Sequence, residues 1–205
     1  MAGVALPFRA AGGLIALALL GAAAAPPAAA DDAARLQIYR DFRVAFDARR
    51  YPEALPLAEQ LVALTEQQLG AEDKALVNPL TNLGTVHYRM GNYPAAEAAY
   101  QRAVAIAEAT ANGPASVAMI RPLHGLGEVL LATGRADVAA IMLDRAIDLT
   151  RSLNGLYHES QLAILPSLID SYVALGRLAD AEKEHQYGFR VAEHSYGRSD
   201  RRLLG

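Results

Sequence analysis

The 205-residue sequence is 53% hydrophobic and 20% charged, which places it among chains that bury a core and apart from the disordered class. Its formal net charge of −3 lacks the basic excess that a phosphate backbone demands, so no nucleic-acid partner is expected. There is no cysteine, which excludes disulfides, thiolate catalysis, cysteine-ligated zinc and a lipidated cysteine behind a leader.

Residues 1–30 carry a single charge, Arg9, ahead of the apolar run Leu14-Ile15-Ala16-Leu17-Ala18-Leu19-Leu20. Pro26 and Pro27 end that run, and Ala28-Ala29-Ala30 offers small residues at both recognition positions of an A-x-A exit. A positive start, a short apolar core and a small-residue exit form the layout of a secretory signal peptide. The core is only about a dozen residues, short of the roughly 20 that a spanning helix needs. Cleavage is expected after Ala30, leaving Asp31 first, a mature charge of −4 and a periplasmic or secreted location. No membrane span is expected after that cleavage.

The remaining chain repeats itself. Gly91-Asn92-Tyr93-Pro94-Ala95-Ala96-Glu97 recurs as Gly134-Arg135-Ala136-Asp137-Val138-Ala139 and as Gly176-Arg177-Leu178-Ala179-Asp180-Ala181-Glu182. A weaker copy is Arg49-Arg50-Tyr51-Pro52-Glu53-Ala54, and Tyr51, Tyr93, Ala136 and Leu178 stand 42, 43 and 42 residues apart. Before each turn runs an apolar stripe at helical spacing: Leu80, Leu83 and His87, then Leu123, Leu126 and Leu130, then Leu165, Leu168 and Tyr172. Glycine then stops the helix, because it accepts the left-handed conformation that other residues resist. A second stripe follows: Ala96, Tyr100, Ala103 and Ile106, then Ala139, Leu143, Ala146 and Leu149, then Ala181, His185, Gly188 and Val191. One hairpin cannot bury both of its stripes, so hairpins must stack.

The pattern predicts eight helices, over about 33–48, 52–69, 73–90, 93–111, 115–132, 135–153, 157–175 and 178–196. Gly70, Gly113 and Gly155 fall between hairpins; Pro79 and Pro122 lie near helix starts, whereas Pro166 sits later in its repeat and is expected to kink its helix. Gly197-Arg198-Ser199-Asp200 leading to Leu203 matches Gly70-Ala71-Glu72-Asp73 leading to Leu76. Residues 198–205 are therefore expected to open a further, unfinished hairpin. The apolar side of the last helix is then left for a partner, for self-association, or for more of a longer array.

These landmarks resemble the tetratricopeptide-repeat (TPR) family in its longer, kinesin-light-chain-like form, also found in many bacterial proteins; with the leader, they point to an exported bacterial protein. The resemblance rests on Leu83, Gly84, Gly91, Tyr93, Ala96, Tyr100 and Ala103, and on Leu126, Gly127, Gly134, Ala139, Leu143 and Ala146. It implies an all-α, right-handed α-solenoid of about four stacked helix-turn-helix hairpins, with copies at 33–69, 73–111, 115–153 and 157–196 inside an array over 31–197. The family unit is about 34 residues, and the extra residues here are expected to lengthen both helices. Phe42, Arg49 and Gly188 depart from the pattern, as terminal repeats often do.

Nothing in the sequence assembles a catalytic set, and neither an enzyme nor a cofactor is expected. No histidine pair has H-E-x-x-H spacing, no serine sits in G-x-S-x-G, and Gly125-Leu126-Gly127 lacks the third glycine and the strand of a dinucleotide loop. His87 and His185 occupy repeat landmarks and are expected to pack. The mixed cluster of Arg35, Arg40, Arg43, Arg49 and Arg50 with Asp31, Asp32, Asp41 and Asp47 reads as a solvated face.

The family resemblance implies a concave face lined by first helices, on which a protein or peptide partner lies. The candidates carried over are Tyr39, Arg43 and Phe46, then Asn78, Thr81, Asn82, Thr85, Tyr88 and Arg89, then Arg121, His124, Glu128 and Leu131, and finally Asp170. Asn82 matches an asparagine that long-unit relatives direct at a bound peptide backbone. The set that clamps a chaperone's terminal carboxylate is met only at Asn82 and Arg121, while Tyr39, Arg43 and Gly125 depart from it. The function expected is an exported scaffold or adaptor. The alternative is a targeting or regulatory module of a larger protein, an enzyme included, that continues past residue 205.

Overall fold

A computed structural model describes residues 27–111 and 116–197. The leader up to Pro26, Gly113 and the hairpin start expected over 198–205 lie outside them. Eight α-helices run through the described residues: α1 (Pro27–Asp47), α2 (Tyr51–Leu69), α3 (Val77–Arg89), α4 (Tyr93–Ala109), α5 (Ile120–Ala132), α6 (Ala136–Asn154), α7 (Leu165–Ala174) and α8 (Leu178–Tyr196). They pair as four antiparallel hairpins, and each hairpin stacks on the next through α2 on α3, α4 on α5 and α6 on α7. The first helices α3, α5 and α7 also touch in series, forming the inner layer of a right-handed α-solenoid.

The turn inside every hairpin is closed in one way. Asn92 N–H reaches back to His87 C=O at 2.9 Å and Gly91 N–H to Tyr88 C=O at 3.0 Å, the paired bonds of a Schellman cap. The same pair recurs at Arg135 and Gly134, at Arg177 and Gly176, and at Arg50 and Arg49. The geometry needs a positive φ at the second of these residues, 75° at Gly91 and 78° at Gly134. Arg49 meets it with φ 57°, alone among the described non-glycine residues. The first copy thus keeps the turn at the steric cost of a Cβ in the left-handed region.

Between hairpins the structure corrects the sequence reading. The first helices of the later copies do not begin at 73, 115 and 157; each is preceded by a 3₁₀ turn, at Lys74–Leu76, Val117–Met119 and Glu159–Ala163. Side chains of Asp73, Ser116 and His158 cap these turns by accepting the N–H two residues on, at 2.8, 3.3 and 3.2 Å. Each turn drives one residue into the core: Leu76, Met119 and Gln161. Gln161 is polar, and its carboxamide donates to the carbonyls of Gly155 and Leu156. Part of the extra repeat length therefore sits in residues 70–76 and their counterparts rather than only in the helices. Pro166 lies in the first turn of α7, where a missing N–H is harmless, so the expected kink is absent.

The hairpins are held apart by a distance that one side chain sets. Tyr100 of α4 is buried between α3 and α5, facing Gly84 on one and Gly125 on the other. A Cβ at Gly125 would stand 2.3 Å from Tyr100 Cζ, and one at Gly84 would stand 2.9 Å from the ring. In the next copy Leu143 takes the tyrosine's place, and a Cβ at Gly127 would lie 2.5 Å from its Cγ. The first copy inverts the sizes, with Phe42 and Ala58 both buried in its core. In the last copy Ile169 stands where Gly84 and Gly127 stand earlier, and His185, expected to pack, is exposed instead. Ile169 is partly buried against the core at that position.

Second helices are joined across copies by exposed ion pairs, Glu66 with Arg102 and Glu108 with Arg145. One copy further the two positions hold Arg151 and Tyr187, and the guanidinium lies 4.4 Å from the ring centroid. Arg151 pairs instead with Glu184 at 3.0 Å, the most buried of the described carboxylates. The basic cluster of the first copy is solvated, as expected, and internally paired: Arg35 with Asp32, Arg43 with Asp47 and Arg50 with Glu53.

Two substitutions read the turn and the spacing in opposite directions. Gly125→Ala overpacks Tyr100 and is expected to lower unfolding free energy by about 1–3 kcal/mol. Arg49→Gly relieves the left-handed arginine and is expected to raise it by roughly 0.5–1 kcal/mol, net of glycine's greater chain entropy. Urea titrations followed by circular dichroism check both, and equal effects of one sign would refute the assignment.

Candidate functional site

The inner layer gathers some of the sequence-selected residues and withdraws others. Thr81 is only 2% exposed, and its hydroxyl donates to Val77 C=O at 2.6 Å, so it cannot meet a partner. Thr85 donates to Thr81 C=O and accepts from the Tyr100 hydroxyl at 2.9 Å, which engages it in the core. Phe46 packs its ring 5.6 Å from Phe42 and 5.5 Å from Tyr51 and belongs to the first-hairpin core. These three leave the list of binding residues. A short polar or single aromatic residue on a helix gives the same sequence signal whether it faces water or bonds back to its own backbone.

Tyr39, Asn78 and Asn82 come together. They line a cleft of about 390 Å³ between α1 and α3, over the second half of α2. Leu36, Leu61 and Pro79 make its apolar floor, and Asp32 and Arg35 stand at its α1 end. Leu36 and Leu61 were not selected from the sequence. Both follow ordinary helical periodicity, and only the docking of two hairpins turns them toward a common space. Tyr39 is 41% exposed, so its ring is offered to the cleft rather than buried beneath it.

Beyond the cleft the inner layer becomes charged. Arg121 of α5 donates to Asn82 Oδ1 at 3.3 Å, joining two first helices across a copy boundary. Half-buried Glu128, one helix face along, lies close enough to push the phenol of Tyr88 upward, second to burial. Arg89 stands 5.8 Å from the Tyr88 ring centroid, and Tyr93 backs that ring at 5.9 Å. Burial drives the Tyr100 phenol up to about 12, so it stays a hydrogen-bond donor. His124 is held neutral: burial lowers its pKa, Glu128 opposes that, and its buried Nε2 has no hydrogen-bond partner. Arg43 and Asp170 are exposed on α1 and α7, and Leu131 packs against the core.

Among the described residues no group of three His, Cys, Asp or Glu side chains is placed to hold a metal ion. His158 is the cap of a 3₁₀ turn. Among the described residues no helix is long and apolar enough to cross a membrane.

Residues 43–109, which span most of the first two hairpins, match the tetratricopeptide repeat family. Over those residues the chain is similar to tetratricopeptide-repeat proteins. The solenoid is similar to that of BtubC (BKLC) from P. vanneervenii, with a TM-score of 0.73, 17% identity, and 83% of this chain covering 67% of that one. It is also similar to a Podosopora anserina protein of nearly identical TPR-like repeats of the kinesin light chain type. There the TM-score is 0.63 at 21% identity, with 80% of this chain covering 77% of that one. At such identities the likeness is one of fold. Among curated proteins none matches this sequence.

The buried imidazole generates a pH dependence. A group whose folded pKa is depressed supports the fold above its unfolded value, near 6.5, and loses that support as pH falls toward the folded value. Thermal midpoints are therefore expected to drop between about pH 7.5 and pH 5, and to drop less in His124→Gln. Identical pH profiles for the two proteins would show that His124 titrates as it does in the unfolded chain.

Proposed function

We propose that this TPR chain is an exported scaffold that holds a segment of a partner protein against its inner face. A tetratricopeptide-repeat solenoid is a protein–protein interaction fold, and the finer reading rests on one observation. The cleft between α1 and α3 joins an apolar floor to an exposed tyrosine ring and two carboxamides. Aromatic surface supplies contact area at small entropic cost, while each carboxamide both donates to and accepts from a peptide backbone. An extended segment would place a side chain over Leu36, Leu61 and Pro79 and its backbone across Asn78 and Asn82. Arg121, already bonded to Asn82, extends the polar edge toward α5.

Export is supported by the leader sequence, with Arg9, the Leu14–Leu20 run and the Ala28–Ala30 exit. Helix α1 begins at Pro27, so cleavage after Ala30 trims its first turn and leaves Asp32, Arg35 and Tyr39 on the mature chain.

The test is photo-crosslinking from position 78 in cells, followed by N-terminal sequencing of the captured protein. The wild-type face is expected to give a discrete adduct on a chain that starts at Asp31, weakened at least about fivefold by Tyr39→Ala with Asn82→Ala. Undiminished capture by that double variant overturns the inner-face site. A chain recovered in the cytosol still starting at Met1 overturns export.

A further inference from the structure

The junction between α6 and α8 breaks the charge pattern of the earlier copies. Where Glu66 and Glu108 supply the acid of each inter-helix pair, this copy supplies Arg151, and its partner position holds Tyr187. On the same face of α8 lie Lys183, Tyr187, Arg190 and His194, at successive spacings of four, three and four residues. Lys183 and Arg190 are exposed, and neither makes an ion pair with a described residue. Arg190 stands 5.8 Å from the Tyr187 ring centroid, opposite in sequence to Arg151 at 4.4 Å. The imidazole of His194 stacks on Tyr157 at 4.9 Å and 5°. Two hollows, of about 220 and 370 Å³, share Arg190 as a wall. Glu184 in the smaller one is committed to Arg151, and Glu193 borders the larger.

We infer that this face of α8 docks an acidic peptide segment of a partner protein, separately from whatever the inner face holds. The stripe from Lys183 to His194 is about 16 Å long at 1.5 Å per helical residue, matching roughly five residues of extended chain. A single phosphate fills one hollow and leaves the other cation unused. A chain with carboxylates at intervals reaches Lys183, Arg190 and His194 together. Guanidinium groups over tyrosine keep their charge while their planes are held, so less side-chain freedom is lost when a carboxylate arrives.

Fluorescently labelled octaglutamate is the probe, titrated into the full chain at about 50 mM and about 300 mM salt. Saturable binding is expected, weaker at the higher salt. Arg190→Glu should weaken it by about tenfold and Arg40→Glu, on α1, by less than about twofold. Absence of saturable binding overturns the inference, as does equal weakening by the two variants. So does binding to phosphatidylglycerol vesicles with none to octaglutamate, which would make the stripe a lipid-facing one. Both substituted residues are exposed, and matching circular-dichroism melts confirm intact folding. Loss of the inner-face adduct has no bearing on this result, because the probe and the variants report on α8 alone.

Discussion

The burial of Tyr100 between two glycines is the constraint from which the middle of the array follows. Its ring fits only where neither α3 nor α5 presents a Cβ, so Gly84 and Gly125 are required together. Once the ring is in place, its hydroxyl must find a partner, and Thr85 supplies it at 2.9 Å. That bond removes Thr85 from the inner surface and sets the separation of α3 and α5. The same separation brings Arg121 within reach of Asn82. A core fit on one side of the helices thus decides which polar groups are presented on the other.

The architecture was legible because repetition amplifies weak signals. A lone Gly-x-Tyr-Pro says little, but four in-phase copies of a turn with an apolar stripe on either side leave one solution. Even Arg49 was visible as the residue standing in for glycine, and it adopts the left-handed backbone that glycine would. The 3₁₀ turns were harder to see. Asp73 and Ser116 are recognisable caps, but His158 is a rare one, and the turns divide what periodicity presents as one continuous helix. Pro166 was misplaced for that reason, since a helix starting at 157 would hold it in the interior and one starting at Leu165 holds it in the first turn.

The candidate surface was legible only in part, and the failures share a cause. Thr81 and Phe46 lie on first helices at angles that border both the core and the inner face, and the sequence cannot tell which side captures them. His185 failed differently: its repeat position predicted packing, yet the first helix beside it carries Ile169 where the earlier copies carry Gly84 and Gly127, and the imidazole is exposed. Pairwise size complementarity, as between Phe42 and Ala58, is written across two helices and is invisible along one. The cleft beneath Tyr39 has the same character, because its floor belongs to three helices.

The rungs between second helices differ in kind along the array, and this gives the solenoid an uneven response to its medium. Glu66–Arg102 and Glu108–Arg145 are exposed ion pairs, which mobile ions screen within about a nanometre at physiological strength. The third rung is a guanidinium against a tyrosine face, backed by Glu184, and dehydration protects it. Concentrated salt therefore weakens the first two rungs, each worth at most about 1 kcal/mol, and spares the third. The apolar core shared by successive hairpins is untouched, so the medium retunes only the outer edge of the array.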